Sequence, residues 1–331
     1  MSVAIDPALF DRPFAIEGPE DFNALALDLF RLHAAHNPVY RGFLSGLGKR
    51  AVQVERWEDI PCLPIGLFKS HDVLIEGLTP EVTFTSSGTT GANTSKHHVP
   101  WLSLYERSFK TGFTENFGGG RYWIIATLLP GYQEREGSSL IHMMNTLMED
   151  NGAVGSGSYL KDPDGLHRLL KLAQHEVKPM MLMGVPYALL DFMERYPGQY
   201  PELCVMETGG MKGKRKELLR EELHGRLKEG FGVERVWSEY GMTELLSQAW
   251  STGRKFHCPP WMQVRVRDVN DPFTQLPVDR TGGIDVFDLC NIGSCPFIAT
   301  QDLGKTDEDG AFEVLGRFDN SDLRGCNLLV E

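Results

Sequence analysis

Basic residues are outnumbered in this chain: 33 Lys and Arg face 45 Asp and Glu, a formal net charge of −12. A nucleic-acid footprint needs a basic face, so that class of partner is excluded. Long apolar runs are missing too; none approaches the about 18 residues of a membrane span. The opening stretch Met1 to Asp11 carries Asp6 and lacks the basic start and apolar core of a signal peptide. Cysteine is sparse: Cys62, Cys204, Cys258, Cys290, Cys295 and Cys326 are scattered, with no Cys-x-x-Cys pair. A zinc site or disulfide framework is thereby set aside, and reduced thiols in the cytoplasm are the expectation. Internal repeats and low-complexity linkers are absent, and so is the Gly-Lys-Ser/Thr ending of a P-loop.

What remains is a chain of 331 residues, 41% hydrophobic and 24% charged, long enough for one large α/β domain or two smaller ones. Helical spacing marks Asp21 to about His36, with Asp21 as the cap. The stretch Ile60 to Phe68 is apolar but broken by Pro61 and Pro64, which reads as packed loop. Strands are expected at Val82–Thr85, Tyr122–Leu128, Met180–Met183, Leu203–Met206 and Val233–Ser238, with helices after Pro100, near Ser138–Glu149, at Asp164–His175, after Val185 and near Lys216–Glu229. This alternation predicts a largely parallel sheet covered on both faces. Beyond Lys255 helical periodicity stops, and short strands at Val264–Val269, Gly283–Asp288, Pro296–Thr300 and Ala311–Leu315 predict a β-rich lobe on the same domain.

Ligands of open α/β sheets bind outside the carboxyl ends of the strands. Three polar, glycine-bearing segments fall at such ends. The first, Thr83 to Lys96, carries Gly88 and Gly91, which allow close backbone approach, and the hydroxyls of Thr85, Ser86, Ser87, Thr89 and Thr90, which with Lys96 can surround a phosphate. The same composition suits an ordinary surface turn, and taken alone the two readings stand even. The second is Glu207-Thr208-Gly209-Gly210, and the third is Glu239-Tyr240-Gly241-Met242-Thr243-Glu244. Three strand ends facing one crevice favour a nucleotide site.

The residues resemble a known family over about residues 83 to 327. Ser87-Gly88-Thr89-Thr90-Gly91 matches the phosphate loop of the adenylate-forming superfamily of acyl-CoA synthetases, adenylation domains and luciferases. Tyr240-Gly241-Met242-Thr243-Glu244 matches its Tyr-Gly-x-Thr-Glu motif, Thr300-Gln301-Asp302-Leu303 its ribose segment (with Gln301 where many members have Gly or Arg), and Gly316-Arg317-Phe318-Asp319 its hinge motif. Leu128-Leu129-Pro130-Gly131-Tyr132, with Gly137-Ser138-Ser139-Leu140, resembles one subfamily in particular, the acyl-protein synthetases, which are the fatty-acid–luciferin-component ligases of bacterial bioluminescence.

The resemblance implies an α/β fold: the large adenylate-forming domain, with mixed and parallel sheets flanked by helices and a β-rich lobe, and without the family's small C-terminal domain. It implies one domain over 1–331, divided at about 255 into α/β part and lobe, with a tail from 319. It also implies ATP and Mg²⁺, with Asp302 on the ribose, Tyr240 against adenine, Gly209 and Gly210 on the ring's other side, Thr243 on a phosphate and Glu244 on the metal. Arg317 would bind ribose or phosphate oxygens. Lys96 stands equally as a phosphate ligand or a solvated lysine. The reaction implied is attack of a carboxylate on the α-phosphate, giving acyl-AMP and pyrophosphate. Cys326, in Leu323-Arg324-Gly325-Cys326-Asn327, matches the cysteine that takes the acyl group as a thioester and passes it to a reductase. Partners would be a fatty or related acid and an acyl reductase, carrier or transferase protein. An acid–CoA ligase and a non-catalytic nucleotide-binding relative are the alternatives. Met143, Met144, Met183, Gly184, Val185 and Pro186 serve equally as acyl pocket or plain core, with core favoured. The basic run Lys212, Lys214, Arg215, Lys216 and Arg220 is read as a solvated face.

Overall fold

The computed structural model describes residues 5–48, 54–86, 94–119, 122–130, 137–211, 214–216 and 218–318. Helix α1 (Pro19–His36) starts where Pro19 presets the backbone at the first turn. Its N-cap is Gly18; Asp21, expected to be the cap, lies inside the first turn and accepts from the Glu17 N–H at 3.1 Å. Asn37 ends α1 and caps α2 (Pro38–Gly46), a helix the sequence reading missed, by accepting from the Tyr40 N–H at 3.2 Å. The segment expected to be loop holds a two-residue strand, β1 (Leu63–Pro64), and a one-turn helix, α3 (Leu67–Ser70). Proline is tolerated there because β1 lies at a sheet edge.

Strands β2 (Val82–Thr85) and β3 (Lys96–Val99) form an antiparallel pair, and α4 (Leu102–Phe117) follows. Then the chain alternates: β4 (Ile124–Leu128), α5 (Ser139–Asn151), β5 (Gly157–Ser158), α6 (Pro163–Glu176), β6 (Met180–Gly184), α7 (Pro186–Arg195), β7 (Leu203–Thr208), α8 (Arg220–Phe231), β8 (Val236–Tyr240) and β9 (Ala249–Ser251). These strands make one six-stranded sheet in the order β5-β4-β6-β7-β8-β9, parallel except for β9. Every residue of β4 and β6 is buried, as continuous apolar strands covered on both faces must be. Adjacent residues on β8 show the two covers. Trp237 packs on Phe117 of α4 (ring centroids 4.6 Å apart), whereas Ser238 meets His224 of α8. Met143, Met144, Met183, Val185 and Pro186 are buried core, as favoured.

The remaining strands, β10 (Met262–Arg267), β11 (Gly282–Asp288), β12 (Phe297–Thr306) and β13 (Phe312–Arg317), form the expected β-rich sheet. It is not built from the C-terminal part alone: β1 joins it in parallel, Leu63 pairing with Ile298. A buried charge cluster ties the two together. Asp285 takes Arg265 at 2.9 Å and Arg267 at 2.6 Å, while Arg265 also donates to the carbonyls of Glu58 and Ile60. Aromatic edges of Phe30, Tyr40 and Trp57 against Phe297 and Phe287 complete the contact.

The run read as a basic helical face is different in detail. Helix α8 begins only at Arg220, which lies over the Phe256 ring, and Arg215 is paired with Asp191 and Glu194.

Removing Asp285 strands two buried guanidinium groups, so Asp285→Ala is expected to cost about 3–5 kcal/mol in a denaturant titration. At the end of α6, exposed Val177 adopts a left-handed conformation (φ 53°) that a β-branched residue disfavours. Val177→Gly should stabilise by about 1 kcal/mol and raise the thermal midpoint.

Candidate active site

Neighbouring strands β7 and β8 deliver two of the three glycine-bearing segments to the same edge of the sheet, with Thr208 beside Glu239. Because side chains alternate along a strand, Glu239 and Tyr240 point to opposite faces. Tyr240 turns toward the β-rich lobe, against Phe256 and Phe312 (centroids 5.7 and 5.1 Å). Its hydroxyl donates to Asp302 Oδ2 at 2.9 Å, and Arg317 Nε donates to Asp302 Oδ1 at 3.0 Å. Asp302 and Arg317 are directly opposed on β12 and β13. Three residues chosen from the sequence thus form one contiguous group.

Glu244 is buried, and burial raises its pKa; a hydrogen bond from Ser95 and the charges of Arg317 and Lys69 act in the opposite direction. Ser95 closes the base of the hydroxyl-rich segment with Ser86: the Ser86 N–H donates to the Ser95 carbonyl at 3.1 Å, and the Ser95 N–H to Ser86 Oγ at 2.9 Å. Glu244 therefore sits at the root of that segment and within the field of Arg317. Ser87, Gly88, Thr89, Thr90 and Gly91 lie outside the described residues, as does Cys326. The Thr85 N–H donates to the Gly137 carbonyl at 2.7 Å, which brings the end of the Leu128–Leu140 motif to the same root. Lys96 is exposed opposite Thr85, and its charge acts on Asp72; the lysine whose charge acts on Glu244 is Lys69. No motif marks Lys69, which lies on the one-turn helix read as loop.

Gly209 and Gly210 follow directly on β7, with Gly209 at φ +75° and open space around it. At Gly241 a Cβ would stand 2.3 Å from Glu239 Oε1, so a side chain there would make the Glu239 carboxylate move. Glu239 accepts from Thr208 Oγ1 at 2.5 Å, and burial pushes its pKa up to about 7. On the other face, Ser238 donates to Glu207 at 2.6 Å and meets His224 at 3.1 Å. Below Thr243 and Glu244 lie buried His97, Asn291 and Asp288. Sequence reasoning missed His224, His97, Asn291 and Asp288, since their order along the chain gives no spacing signal. The five described cysteines are buried or half-buried, and burial raises the pKa of each. Among the described residues no three His, Cys, Asp or Glu side chains gather as a metal site, and no helix is long and apolar enough to cross a membrane.

Solved structures share this fold. A 2-hydroxyisobutyryl-CoA ligase in an open conformation with 2-HIB-AMP and CoA superposes with a TM-score of 0.66 at 13% identity, over 92% of this chain and 71% of that one. The same ligase in its postadenylation state gives 0.64 at 14% identity, over 91% and 68%. ATP-bound MatB from Rhodopseudomonas palustris gives 0.51 at 20% identity, over 71% of this chain and 47% of that one. The fold is that of the adenylate-forming enzymes. The chain spans about half the length of MatB (47%). No protein-family model matches it, and no curated protein sequence does either. Within the adenylate-forming fold, Tyr240, Asp302, Arg317 and Glu244 stand together at the carboxyl edge of the parallel sheet, where an α/β fold binds its ligand.

Glu239 gives this site a pH signature. Its pKa is raised from 4.5 to about 7 on folding, so its contribution is fully present below about pH 4.5 and is lost as pH rises through 7. Glu239→Gln keeps the bond from Thr208 and removes that loss. Compared at pH 5 and pH 8 by urea unfolding, the variant should lose less stability than wild type by about 3 kcal/mol.

Proposed function

We propose that this protein activates a carboxylic acid with ATP. The observation that carries the reading is the junction of Tyr240, Asp302 and Arg317 with Glu244 at the root of the Thr85–Lys96 segment. Asp302 offers carboxylate oxygens to the ribose hydroxyls, with its direction fixed by Tyr240 and Arg317. Gly209, Gly210, Gly241 and Tyr240 border the place for adenine, and Gly209 leaves room beside it. Thr243, with Ser87, Gly88, Thr89, Thr90 and Gly91, supplies hydroxyl and backbone donors to the phosphates, and Arg317 a guanidinium; Lys69 and Lys96 are the nearby ammonium groups.

Glu244 fits a magnesium ion: a single hard carboxylate at the phosphate loop is what Mg²⁺ uses when substrate phosphates fill its other positions. When bound, the ion would supply charge neutralisation on the leaving phosphates. A carboxylate oxygen of the acid forms a bond to the α-phosphorus and the bond to the β-phosphate bridge breaks, giving acyl-AMP and pyrophosphate. No protein base is needed, since the acid is already ionised; orientation and charge carry the step.

For the second step the reading is transfer to a thiol. The sulfur attacks the acyl carbon, AMP leaves and a thioester remains. Cys326 is the proposed acceptor, by its Arg-Gly-Cys setting, and it would hand a fatty or related acyl group to a reductase, carrier or transferase. The raised pKa of each described cysteine favours this choice over any of them. A second reading is an acid–CoA ligase, favoured by the structural likeness to a ligase solved with CoA.

Acid-dependent exchange between pyrophosphate and ATP tests activation, and exchange with none of a panel of acids would leave only a nucleotide-binding protein. Labelled acid plus ATP, followed by denaturation, then separates the two acceptors. Label is expected to stay on wild type and vanish in Cys326→Ala; release as acyl-CoA alone favours the second reading.

A further inference from the structure

The turn after β8 is held by its backbone from beneath. His97 Nδ1 lies 2.8 Å from the Thr243 carbonyl, and Asn291 Nδ2 donates to the Glu244 carbonyl at 2.9 Å. Asn291 Nδ2 also donates to the Cys295 carbonyl at 3.0 Å, and Asn291 Oδ1 lies 3.0 Å from His97 Nε2. Further along, the Leu246 and Ser247 N–H groups donate to Asp288 Oδ2 at 2.7 and 2.9 Å. His97 comes from β3, two residues after Ser95, whose partner is Glu244. One imidazole thus links the exit of the hydroxyl-rich segment to the Thr243–Glu244 peptide.

The hydrogen-bond roles single out His97. In buried His33, Nε2 faces the Ile292 carbonyl and Nδ1 faces the Asn37 amide nitrogen, one acceptor and one donor, which suits a neutral ring. Both partners of His97 are oxygens. Reversing the Asn291 amide does not help, because its hydrogens already serve two carbonyls. The Thr243 carbonyl and Asn291 Oδ1 can each only accept, so a neutral ring satisfies one of them; the shorter contact, 2.8 Å against 3.0 Å, assigns the proton to Nδ1 and leaves Asn291 Oδ1 as the poorer contact. A buried group left short of a hydrogen bond is costly, and such departures are expected at functional or strained positions.

We infer that His97 is a positioning residue for the nucleotide site. Through Nδ1 it sets the Thr243 carbonyl, and with Asn291 it orients the Thr243–Glu244 peptide so that hydroxyl and carboxylate reach the phosphates and their divalent cation. The inference rests on the ATP-binding reading above.

Two variants separate the contacts, because Asn places its amide nitrogen where Nδ1 stood and Gln where Nε2 stood. For the full chain and His97→Asn, His97→Gln and His97→Leu, the measurements are the thermal midpoint, ATP affinity with and without Mg²⁺, and kcat and KM of pyrophosphate exchange. His97→Asn should keep the gain in ATP affinity that Mg²⁺ brings, with exchange within about threefold of wild type. His97→Gln and His97→Leu should lose most of that gain, and about tenfold in kcat with the acid KM unchanged, the effect of one positioning hydrogen bond. If Leu prevents folding, the Asn–Gln contrast decides. Equal behaviour of Asn and Gln, or wild-type kcat and ATP affinity in every folded variant, overturns the inference. Wild type that binds Mg²⁺–ATP but exchanges with no acid sinks acid activation alone, and the affinity series still decides for His97. Wild type that does not bind Mg²⁺–ATP sinks both.

Discussion

The contact between the Tyr240 hydroxyl and the Asp302 carboxylate joins the parallel sheet to the β-rich lobe across the candidate site. Burial raises the tyrosine pKa well above its ordinary value, so the phenol stays a donor, and its partner is a carboxylate that accepts a charge-assisted bond. Asp302 is itself buried, and Arg317 on the opposing strand offsets the cost of holding a negative charge there. Each carboxylate oxygen then has one protein donor and spare lone-pair capacity. The group is fixed in direction yet able to receive hydroxyls from a ligand.

Within the parallel sheet, buried polar side chains gather at the carboxyl end. The central strands are apolar through most of their length, whereas their carboxyl ends carry Glu207, Thr208, Ser238 and Glu239, all buried. Beneath the following turn lie Asp288 and Asn291 from the lobe and His97 from the hairpin. In a low-dielectric interior such networks stiffen what they hold and are costly to leave half-satisfied. The turn that carries Thr243 and Glu244 therefore belongs to the rigid scaffold, although turns at protein surfaces are commonly mobile.

The sheet was legible because burial on both faces writes itself as nearly continuous apolar runs, as in Ile124–Leu128 and Met180–Gly184. Tyr240, Asp302, Arg317 and Glu244 were picked out as candidates by their motifs, and the structure brings them near one another. The misses have a shared cause. β1 and α2 depend on partners far along the chain, Leu63 on Ile298 and Asn37 on the Ser294 carbonyl, and local patterns hold no trace of such pairing. His97, Asn291 and Lys69 join the site through tertiary contact in the same way. Asp21 was misplaced because a proline at the first turn moved the helix start upstream of the acidic residue.

The pairing of Leu63 with Ile298 has a consequence for how the chain is made. Loop closure over such a separation is slow, and the lobe's edge strand must wait until β12 has been made. Until then β1 and the apolar faces of the first two helices have no lasting cover. Vectorial synthesis cannot complete this fold piece by piece, and a nascent chain leaves β1 open to chaperones until Ile298 has emerged.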